Sequence, residues 1–199
     1  MKLPSAILDG RVIPVARGLD AESAPTTVRA LQAGGIDVIE ITVEGAGGLE
    51  AIASVTTGAA LVGAGTVVTI SAAARAVDAG AAFLVTPHFD EALLGWATMN
   101  AVPLLPGAFT PTEIAGAWAH RPPAVKLFPA SLGGPDYIRS LLAPYPDLVL
   151  IPTGGIDADN APAFLSAGAA AVGVGSWLTG PSDPEVITER AVRLMSQVV

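Results

Sequence analysis

Eight short apolar runs separated by alanine-rich helical segments predict that residues 1–199 fold as one domain, a (β/α)8 barrel. The runs begin roughly 19 to 26 residues apart, and such a regular period is typical of repeated structural units. Most runs are continuously apolar rather than alternating, as expected for parallel strands that helices cover. The predicted strands are residues 12–16, 38–43, 61–64, 83–86, 102–105, 125–128, 148–151 and 171–174.

The segments between these runs carry the signals of helices. Thr110 offers a capping hydroxyl, Pro111 suits the first helical position, and Glu113 completes a capping box. An open, doubly wound sheet is the alternative fold, but no Gly-x-Gly-x-x-Gly pattern of its dinucleotide-binding version follows the first strand. Three helices are predicted to end at a glycine in a left-handed conformation just before the next strand, in Ala33-Gly34-Gly35, Ala79-Gly80-Ala81 and Ala167-Gly168-Ala169.

Composition and charge exclude several classes of protein. The formal net charge is -8, whereas nucleic-acid binding needs clustered Lys and Arg to neutralise phosphates. The chain contains no cysteine, which excludes disulfides and thiolate metal sites. Its first residues lack the apolar core of a signal peptide, and Gly or Pro interrupts the apolar stretches before they could span a membrane. We therefore expect a cytoplasmic protein that binds neither nucleic acid nor membranes.

Lys126 is the residue that most needs an explanation. The chain has only two lysines, and Lys126 lies inside a run that otherwise reads as a buried strand, whereas Lys2 lies at the start. An ammonium group in such a strand is costly unless it is paired or neutral. A neutral lysine amine is also a nucleophile that forms a Schiff base with a carbonyl. Lys126 is therefore a candidate catalytic residue.

Alternation along the strands predicts a partner for Lys126. In the second strand, Glu40 shares a face with Val38 and Thr42, while the other face is entirely aliphatic and suits the helix layer. Glu40 should thus point into the barrel, as should Lys126 and Phe128 in the sixth strand. Alternate strands contribute to the same interior layers, so Glu40 and Lys126 should face each other. The pair is either a buried structural ion pair or an amine nucleophile with a carboxylic acid/base.

Glycines after the last two strands form a second candidate site. Thr153-Gly154-Gly155 and Gly173-Val174-Gly175-Ser176 place backbone N–H groups where barrel enzymes commonly bind phosphate. A helix that starts after Asp157 would add its dipole. The alternative is that these glycines only make tight turns.

The histidines and tryptophans suggest no further site. Neither histidine has a carboxylate at ligand spacing, which argues against a catalytic zinc ion. His120 is expected at the surface, and His88, at a strand end, is a candidate lining residue of the pocket. The tryptophans fall in or beside helical segments and are interpreted as packing residues; they are Trp96, Trp118 and Trp177.

Five ordered motifs make the chain similar to a known family. In this order they resemble the pyruvate aldolases that act on 2-keto-3-deoxy-6-phosphogluconate (KDPG) and 4-hydroxy-2-oxoglutarate (KHG). The resemblance spans nearly the whole chain, whereas many phosphate-binding barrels share the glycine motifs alone. The motifs are Ile39-Glu40-Ile41-Thr42, Gly63-Ala64-Gly65-Thr66, Lys126-Leu127-Phe128-Pro129, Pro152-Thr153-Gly154-Gly155-Ile156 and Val174-Gly175-Ser176.

The resemblance implies a class I aldolase that needs neither metal nor cofactor, folds as a (β/α)8 barrel and is usually a homotrimer. Its substrate would be a small 2-keto acid. Lys126 would form the imine with the keto carbon, and Glu40 would shuttle protons. Thr66, Pro87 and Phe128 would shape the pyruvate pocket. The far end of the substrate, including its phosphate, would be held by Thr153, Gly154, Gly155, Gly175 and Ser176.

One position departs from the family pattern. Some relatives carry an arginine shortly after the Glu-x-Thr motif, where it meets the substrate carboxylate, but this chain has Glu44, which would repel an anion. Arg17, at the end of the first strand, is the candidate that supplies the positive charge instead. Residues 130–134 vary within the family, so the identity of the sugar acid stays open.

Two other functions stay open at this point. One is a phosphate-binding isomerase or synthase that uses Glu40 as a base without an imine. The other is a non-catalytic protein that binds sugar phosphates.

Overall fold

A computed structural model describes residues 2–45 and 47–198. The helices in this part of the chain are α1 (Ser5–Gly10), α2 (Ala24–Ala33), α3 (Gly48–Val55), α4 (Ile70–Asp78), α5 (Glu91–Met99), α6 (Pro111–Ala119), α7 (Gly134–Leu142), α8 (Ala161–Ser166), α9 (Ser176–Thr179) and α10 (Pro184–Val198). The strands are β1 (Val12–Ala16), β2 (Val38–Thr42), β3 (Leu61–Gly65), β4 (Phe83–Val85), β5 (Leu104–Leu105), β6 (Gly107–Ala108), β7 (Val125–Leu127), β8 (Leu150–Pro152) and β9 (Val172–Val174). A 3-10 turn covers Ala130–Leu132. Across the described ranges, no helix combines the length and apolarity needed to cross a membrane.

The strands form two parallel sheets that meet at both ends. One sheet has the order β5-β4-β3-β2-β1-β9, and the other has the order β6-β7-β8. Only Pro106 separates β5 from β6, and a bridge between Thr153 and Gly173 joins the residue after β8 to β9. The protein is therefore an α/β structure in which parallel strands follow one another around a shared interior.

The predicted strands agree with the structure except at the fifth run. β1 has the predicted bounds, and most other strands differ from the prediction by one or two residues at an end. The fifth run was expected to be continuous over 102–105, but it is a strand only at Leu104–Leu105 and resumes after Pro106 as β6. Proline has no N–H to donate to a strand ladder, although its carbonyl accepts a hydrogen bond of 2.9 Å from the Lys126 N–H.

Apolar side chains fill the interior and the helix–strand layer as separate clusters. The larger cluster packs the helices against the strands. The smaller one lies on the opposite face of the strands and includes Ile13, Val38, Phe83 and Ile151, together with Ile7 of α1. The sequence patterns above do not predict α1, which comes directly before β1. Because Ile7 is fully buried in this inner cluster, α1 closes the interior at the end where the strands begin.

The predicted helix ends are confirmed where the structure tests them. Thr110 Oγ1 accepts a hydrogen bond from the Glu113 N–H, and the Glu113 carboxylate accepts from the N–H groups of Thr110 and Phe109. These bonds lower the pKa of the Glu113 carboxyl because they favour its charged form, and the bond from the Thr110 N–H has the largest effect. Each of the three predicted motifs contains a glycine in the left-handed region, namely Gly35 (φ 87°), Gly80 (φ 102°) and Gly168 (φ 109°), whereas Gly34, directly after α2, has a φ of -87°.

Candidate active site

Lys126 and Glu40 meet in the interior that the parallel strands share, as alternation predicts. Lys126 Nζ lies 3.5 Å from Glu40 Oε1, with Lys126 on β7 and Glu40 on β2. Both residues are buried, at 5% and 2% exposure. The opposite charge offsets part of the cost of removing each group from water. The arrangement holds an amine and a carboxylate together in a site that excludes bulk solvent.

Two glycines of β3 leave space for the side chains of Phe83 and Glu40. A Cβ on Gly63 would lie 2.3 Å from the ring of Phe83, and one on Gly65 would lie 2.1 Å from Glu40 Oε1. The Gly65 Cβ would also come within 2.7 Å of Glu40 Cγ, so the whole glutamate side chain would have to move. The motif Gly63-Ala64-Gly65 is thus required for close approach within the interior, a role that the sequence alone did not indicate.

Phe128 connects the buried pair to an open cavity. Lys126 Nζ lies 5.6 Å from the centroid of the Phe128 ring, which is within the range of a cation–π contact. The peptide bond between Phe128 and Pro129 is cis. Beyond it, the Ser131 N–H donates to the Gly154 carbonyl at 3.1 Å. The segment after β7 is therefore joined to the glycine-rich loop after β8.

A cavity of about 260 Å³ lies at the carboxyl ends of β1, β7, β8 and β9. The strands of this fold class present functional groups at that end. The predicted site residues that line it are Arg17, Phe128, Thr153, Gly154, Gly155, Gly175 and Ser176. Val15, Ile156, Asp157 and Trp177 complete the lining.

Glycines in and beside this cavity serve two structural needs. Gly154 and Gly155 have φ values of 100° and 73°, which favour glycine. A Cβ on Gly155 would also lie 2.7 Å from Ser131 Cβ, and one on Gly173 would lie 2.2 Å from Thr153 Oγ1. The loop after β8 therefore requires glycine for its backbone conformation and for its close approach to Ser131.

Asp157 is a lining residue whose position differs from the expectation. Its carboxylate accepts hydrogen bonds from the N–H groups of Asp159 (2.9 Å) and Asn160 (3.0 Å), so it caps a turn. The next helix, α8, begins only at Ala161 rather than directly after Asp157. The rim of the cavity thus carries the Asp157 carboxylate, and the helix expected directly after it begins about one turn later.

Trp177 also lines the cavity, although the sequence placed it among the packing residues. It is half-buried, and the guanidinium of Arg190 lies 5.6 Å from its ring. Its position directly after Ser176, itself a predicted site residue, is the sequence signal that could have identified it.

Arg17 reaches the cavity while it is paired with Glu44. Arg17 Nη1 lies 2.9 Å from Glu44 Oε1, and the two side chains are 54% and 46% exposed. An exposed pair of this kind contributes only about 0–1 kcal/mol, so another anion can readily replace Glu44. Glu44, which was expected to repel an anion, is paired with Arg17 in the structure.

Thr66 and Pro87 lie at the carboxyl ends of β3 and β4 and do not line the 260 Å³ cavity. Thr66 has a φ of 56°, an uncommon conformation for a residue other than glycine that is often found at functional sites. His88 and His120 are both exposed, and the His120 ring lies 5.3 Å from that of Phe89. No cluster of three or more potential His, Cys, Asp or Glu metal ligands occurs among the residues for which the structure gives positions.

A larger cavity of about 860 Å³ lies at the opposite end of the strands. Its lining includes Lys2 shortly before α1, Leu8 within α1, Arg121 shortly before β7, and Asp147 and Val149 shortly before β8. This end carries the starts of the strands, whereas the functional groups of parallel barrels gather at their carboxyl ends. The smaller cavity is therefore the better candidate site.

Comparisons with known proteins find similarity in both sequence and structure over nearly the whole chain. A family model described as KDPG and KHG aldolase matches residues 4–191. A 2-dehydro-3-deoxy-phosphogluconate aldolase of Pseudomonas aeruginosa is 36% identical over 186 residues, which cover 92% of this chain and 82% of that protein. The crystal structure of a 2-keto-3-deoxy-6-phospho-gluconate aldolase from Zymomonas mobilis has a TM-score of 0.91 and 30% identity, and the match covers 99% of this chain and 98% of that one. A KDPG aldolase from Legionella pneumophila, crystallised with pyruvate captured as a covalent carbinolamine intermediate, has a TM-score of 0.88 and 30% identity over 96% of each chain.

Proposed function

Because this chain belongs to the KDPG and KHG aldolase family, we propose that it cleaves KDPG, or a close 2-keto-4-hydroxy acid, to pyruvate and an aldehyde such as glyceraldehyde 3-phosphate. Members of this family are aldehyde-lyases, and their general mechanism proceeds through a Schiff base. The observation that carries the assignment of residues is the buried contact of 3.5 Å between Lys126 and Glu40.

Formation of the imine uses both members of this pair. Glu40 takes a proton from the Lys126 ammonium, and the free amine adds to the C2 carbonyl of the substrate to give a carbinolamine. Glu40 then returns the proton to the carbinolamine oxygen, and water leaves with formation of a protonated imine. Since both side chains are buried, these transfers take place without competition from bulk water.

Cleavage follows from the electron demand of the protonated imine. Glu40, through a water molecule, accepts the proton of the C4 hydroxyl, the C3–C4 bond breaks and its electron pair moves toward the imine nitrogen. The aldehyde departs and an enamine remains on Lys126. Glu40 gives this proton to C3 of the enamine, and water then hydrolyses the imine, which releases pyruvate and restores the lysine.

The two ends of the substrate are assigned to different parts of the site. Thr66, Pro87 and Phe128 are proposed to shape the pyruvate pocket at the ends of β3, β4 and β7. Backbone N–H groups in glycine-rich loops favour anions, but Asp157 at the rim opposes a phosphate. A comparison of KM for the phosphorylated and the unphosphorylated substrate shows which of these two effects is larger. The far end is assigned to Thr153, Gly154, Gly155, Gly175 and Ser176.

The finer structural assignments rest on the same resemblance. We propose a single (β/α)8 domain in which β5 and β6 together form one of eight barrel strands and the Thr153–Gly173 bridge closes the ring. We also propose a homotrimer, which light scattering coupled to gel filtration can test. A cytoplasmic location stays a prediction from the sequence.

Pyruvate release tests the proposed reaction directly. KDPG, its unphosphorylated analogue and KHG are each supplied, and pyruvate is measured through its reduction by lactate dehydrogenase. In parallel, borohydride is added with and without pyruvate. Release of pyruvate and inactivation by borohydride only when pyruvate is present support the proposal. No release and no inactivation would instead favour a non-imine isomerase or a binding protein.

We expect Gly65→Ala to lower kcat by roughly 100-fold, because displacement of a reacting group by about 1 Å has effects of that size. The new methyl group would overlap Glu40 Oε1, so the carboxylate must turn away from Lys126. The measurement is kcat for pyruvate release, together with the melting temperature by circular dichroism.

Gly95→Ala is the matched control for this substitution. Gly95 lies in α5, where no atom of the described residues outside the helix backbone lies within 4 Å of the position that a Cβ would take, so the change should leave kcat unaltered. A Gly65→Ala enzyme with wild-type kcat would show that the placement of Glu40 is not critical.

We expect Arg17→Ala to raise KM for the 2-keto acid by about 10- to 100-fold, the loss expected for one hydrogen bond to a charged group, with a smaller change in kcat. The guanidinium is the positive charge that lines the cavity, and its weak pair with Glu44 can yield to the substrate. Arg29→Ala, an exposed arginine of α2, serves as the control. An unchanged KM in Arg17→Ala contradicts the role of Arg17 in substrate binding.

A further inference from the structure

Thr42 has a buried hydroxyl for which the fold provides no partner. Across residues 2–45 and 47–198, Thr42 Oγ1 is the one buried side-chain polar atom without a hydrogen bond. The residue is only 1% exposed. A buried hydroxyl in this state costs stability, and valine would fill the same space without that cost. The presence of threonine here therefore calls for a role other than packing.

The position of Thr42 relates it to the Glu40 carboxylate. The two residues lie two positions apart in β2, so their side chains share the inward face. Thr42 is registered with Gly65 of β3, whereas Glu40 is registered with Gly63. Since Glu40 Oε1 occupies space only 2.1 Å from the Cβ that Gly65 lacks, the carboxylate extends along the strand to the level of Thr42. Adjacent strands are about 5 Å apart, so this register directs the hydroxyl toward the same part of the interior as the carboxylate.

We propose that Thr42 is a positioning residue that holds Glu40 in a second orientation during imine formation. In the resting protein, Glu40 faces the Lys126 ammonium at 3.5 Å. Once Lys126 has become part of the carbinolamine, its nitrogen no longer offers that charge, and the carboxyl must reach the carbinolamine oxygen. The Thr42 hydroxyl then donates a hydrogen bond to Glu40 while keeping its own proton. This inference rests on the proposed imine mechanism.

The proposal explains why the hydroxyl has no partner at rest. Its partner is Glu40 in the orientation that follows attack on the substrate, and in the resting protein that carboxylate is turned to Lys126. Removal of the hydroxyl should therefore have opposite effects on stability and on rate, as is common where a group is kept for function at the expense of stability.

Thr42→Val and Thr42→Ser provide the test. We expect Thr42→Val to raise the melting temperature by about 2–4 °C and to lower kcat by about 10-fold or more, with KM little changed. We expect the rate of borohydride trapping of pyruvate on Lys126 to fall with kcat. Thr42→Ser, which keeps the hydroxyl, should recover most of the rate. Thr27→Val is the control, because the Thr27 hydroxyl already donates to the Ser23 carbonyl and lies in α2, away from Glu40.

Each outcome of this test bears on one of the two proposals. If the wild-type enzyme gives no pyruvate adduct on Lys126, the imine mechanism fails, and the role of Thr42 fails with it. If the wild type is trapped and Thr42→Val is trapped at the same rate, only the role of Thr42 is overturned. A loss of rate that Thr42→Ser does not restore, or a lower melting temperature in Thr42→Val, also overturns it, because packing would then explain the effect.

Discussion

The Lys126→Arg variant is expected to lose aldol cleavage by roughly 10⁴-fold or more while it remains folded. Arginine keeps a positive charge beside Glu40, so a buried pair of opposite charges remains. Its guanidinium stays protonated, however, and cannot add to a carbonyl. The measurement is pyruvate release under saturating substrate, with circular dichroism to confirm the fold.

Trapping experiments make this expectation specific to one residue. Since Lys2 is the only other lysine, peptide mass spectrometry after borohydride reduction with pyruvate can assign the adduct without ambiguity. Lys2→Arg should retain both activity and the adduct. A pyruvyl adduct that persists elsewhere in Lys126→Arg, together with cleavage at the wild-type rate, would falsify the assignment of the imine to Lys126.

The part of this site that could be predicted from the sequence depends on short-range rules. The rarity of lysine and the apolar neighbours of Lys126 mark it as unusual, and the two-residue period of a strand places Glu40 on the inward face. The regular repeat then brings β2 and β7 across one interior. The contact between these two side chains follows from these rules together, and the structure confirms it.

The features that the sequence did not reveal depend on distances between remote segments. The need for Gly65 arises from the reach of the Glu40 side chain, and the pair between Arg17 and Glu44 arises from two loops whose shapes no periodic pattern encodes. The interruption at Pro106 is different, since proline itself signals it. The predicted run stopped at Leu105, so the sequence did not indicate that a strand resumes at Gly107, after the residue without an N–H.

The Glu40→Gln variant is expected to lower kcat by roughly 10²- to 10⁴-fold, the range for loss of a general acid/base. The amide has the size of the carboxyl and can still accept a hydrogen bond from Lys126, but it cannot carry a proton from the ammonium to the carbinolamine oxygen. The same change leaves the Lys126 ammonium buried without its counter-ion. Stability should therefore fall as well, by up to about 3–5 kcal/mol. The measurements are kcat and urea unfolding of the same preparation.

A double variant separates catalysis from the structural role of the pair. In Glu40→Gln combined with Lys126→Met, no unpaired charge remains inside, so the free energy of unfolding should recover relative to Glu40→Gln alone, while activity stays lost. Glu91→Gln, at the exposed start of α5, is the control for the substitution itself. If Glu40→Gln is destabilised but cleaves its substrate at the wild-type rate across the pH range, Glu40 is only a counter-ion. In that case the proton transfers must be assigned to another group.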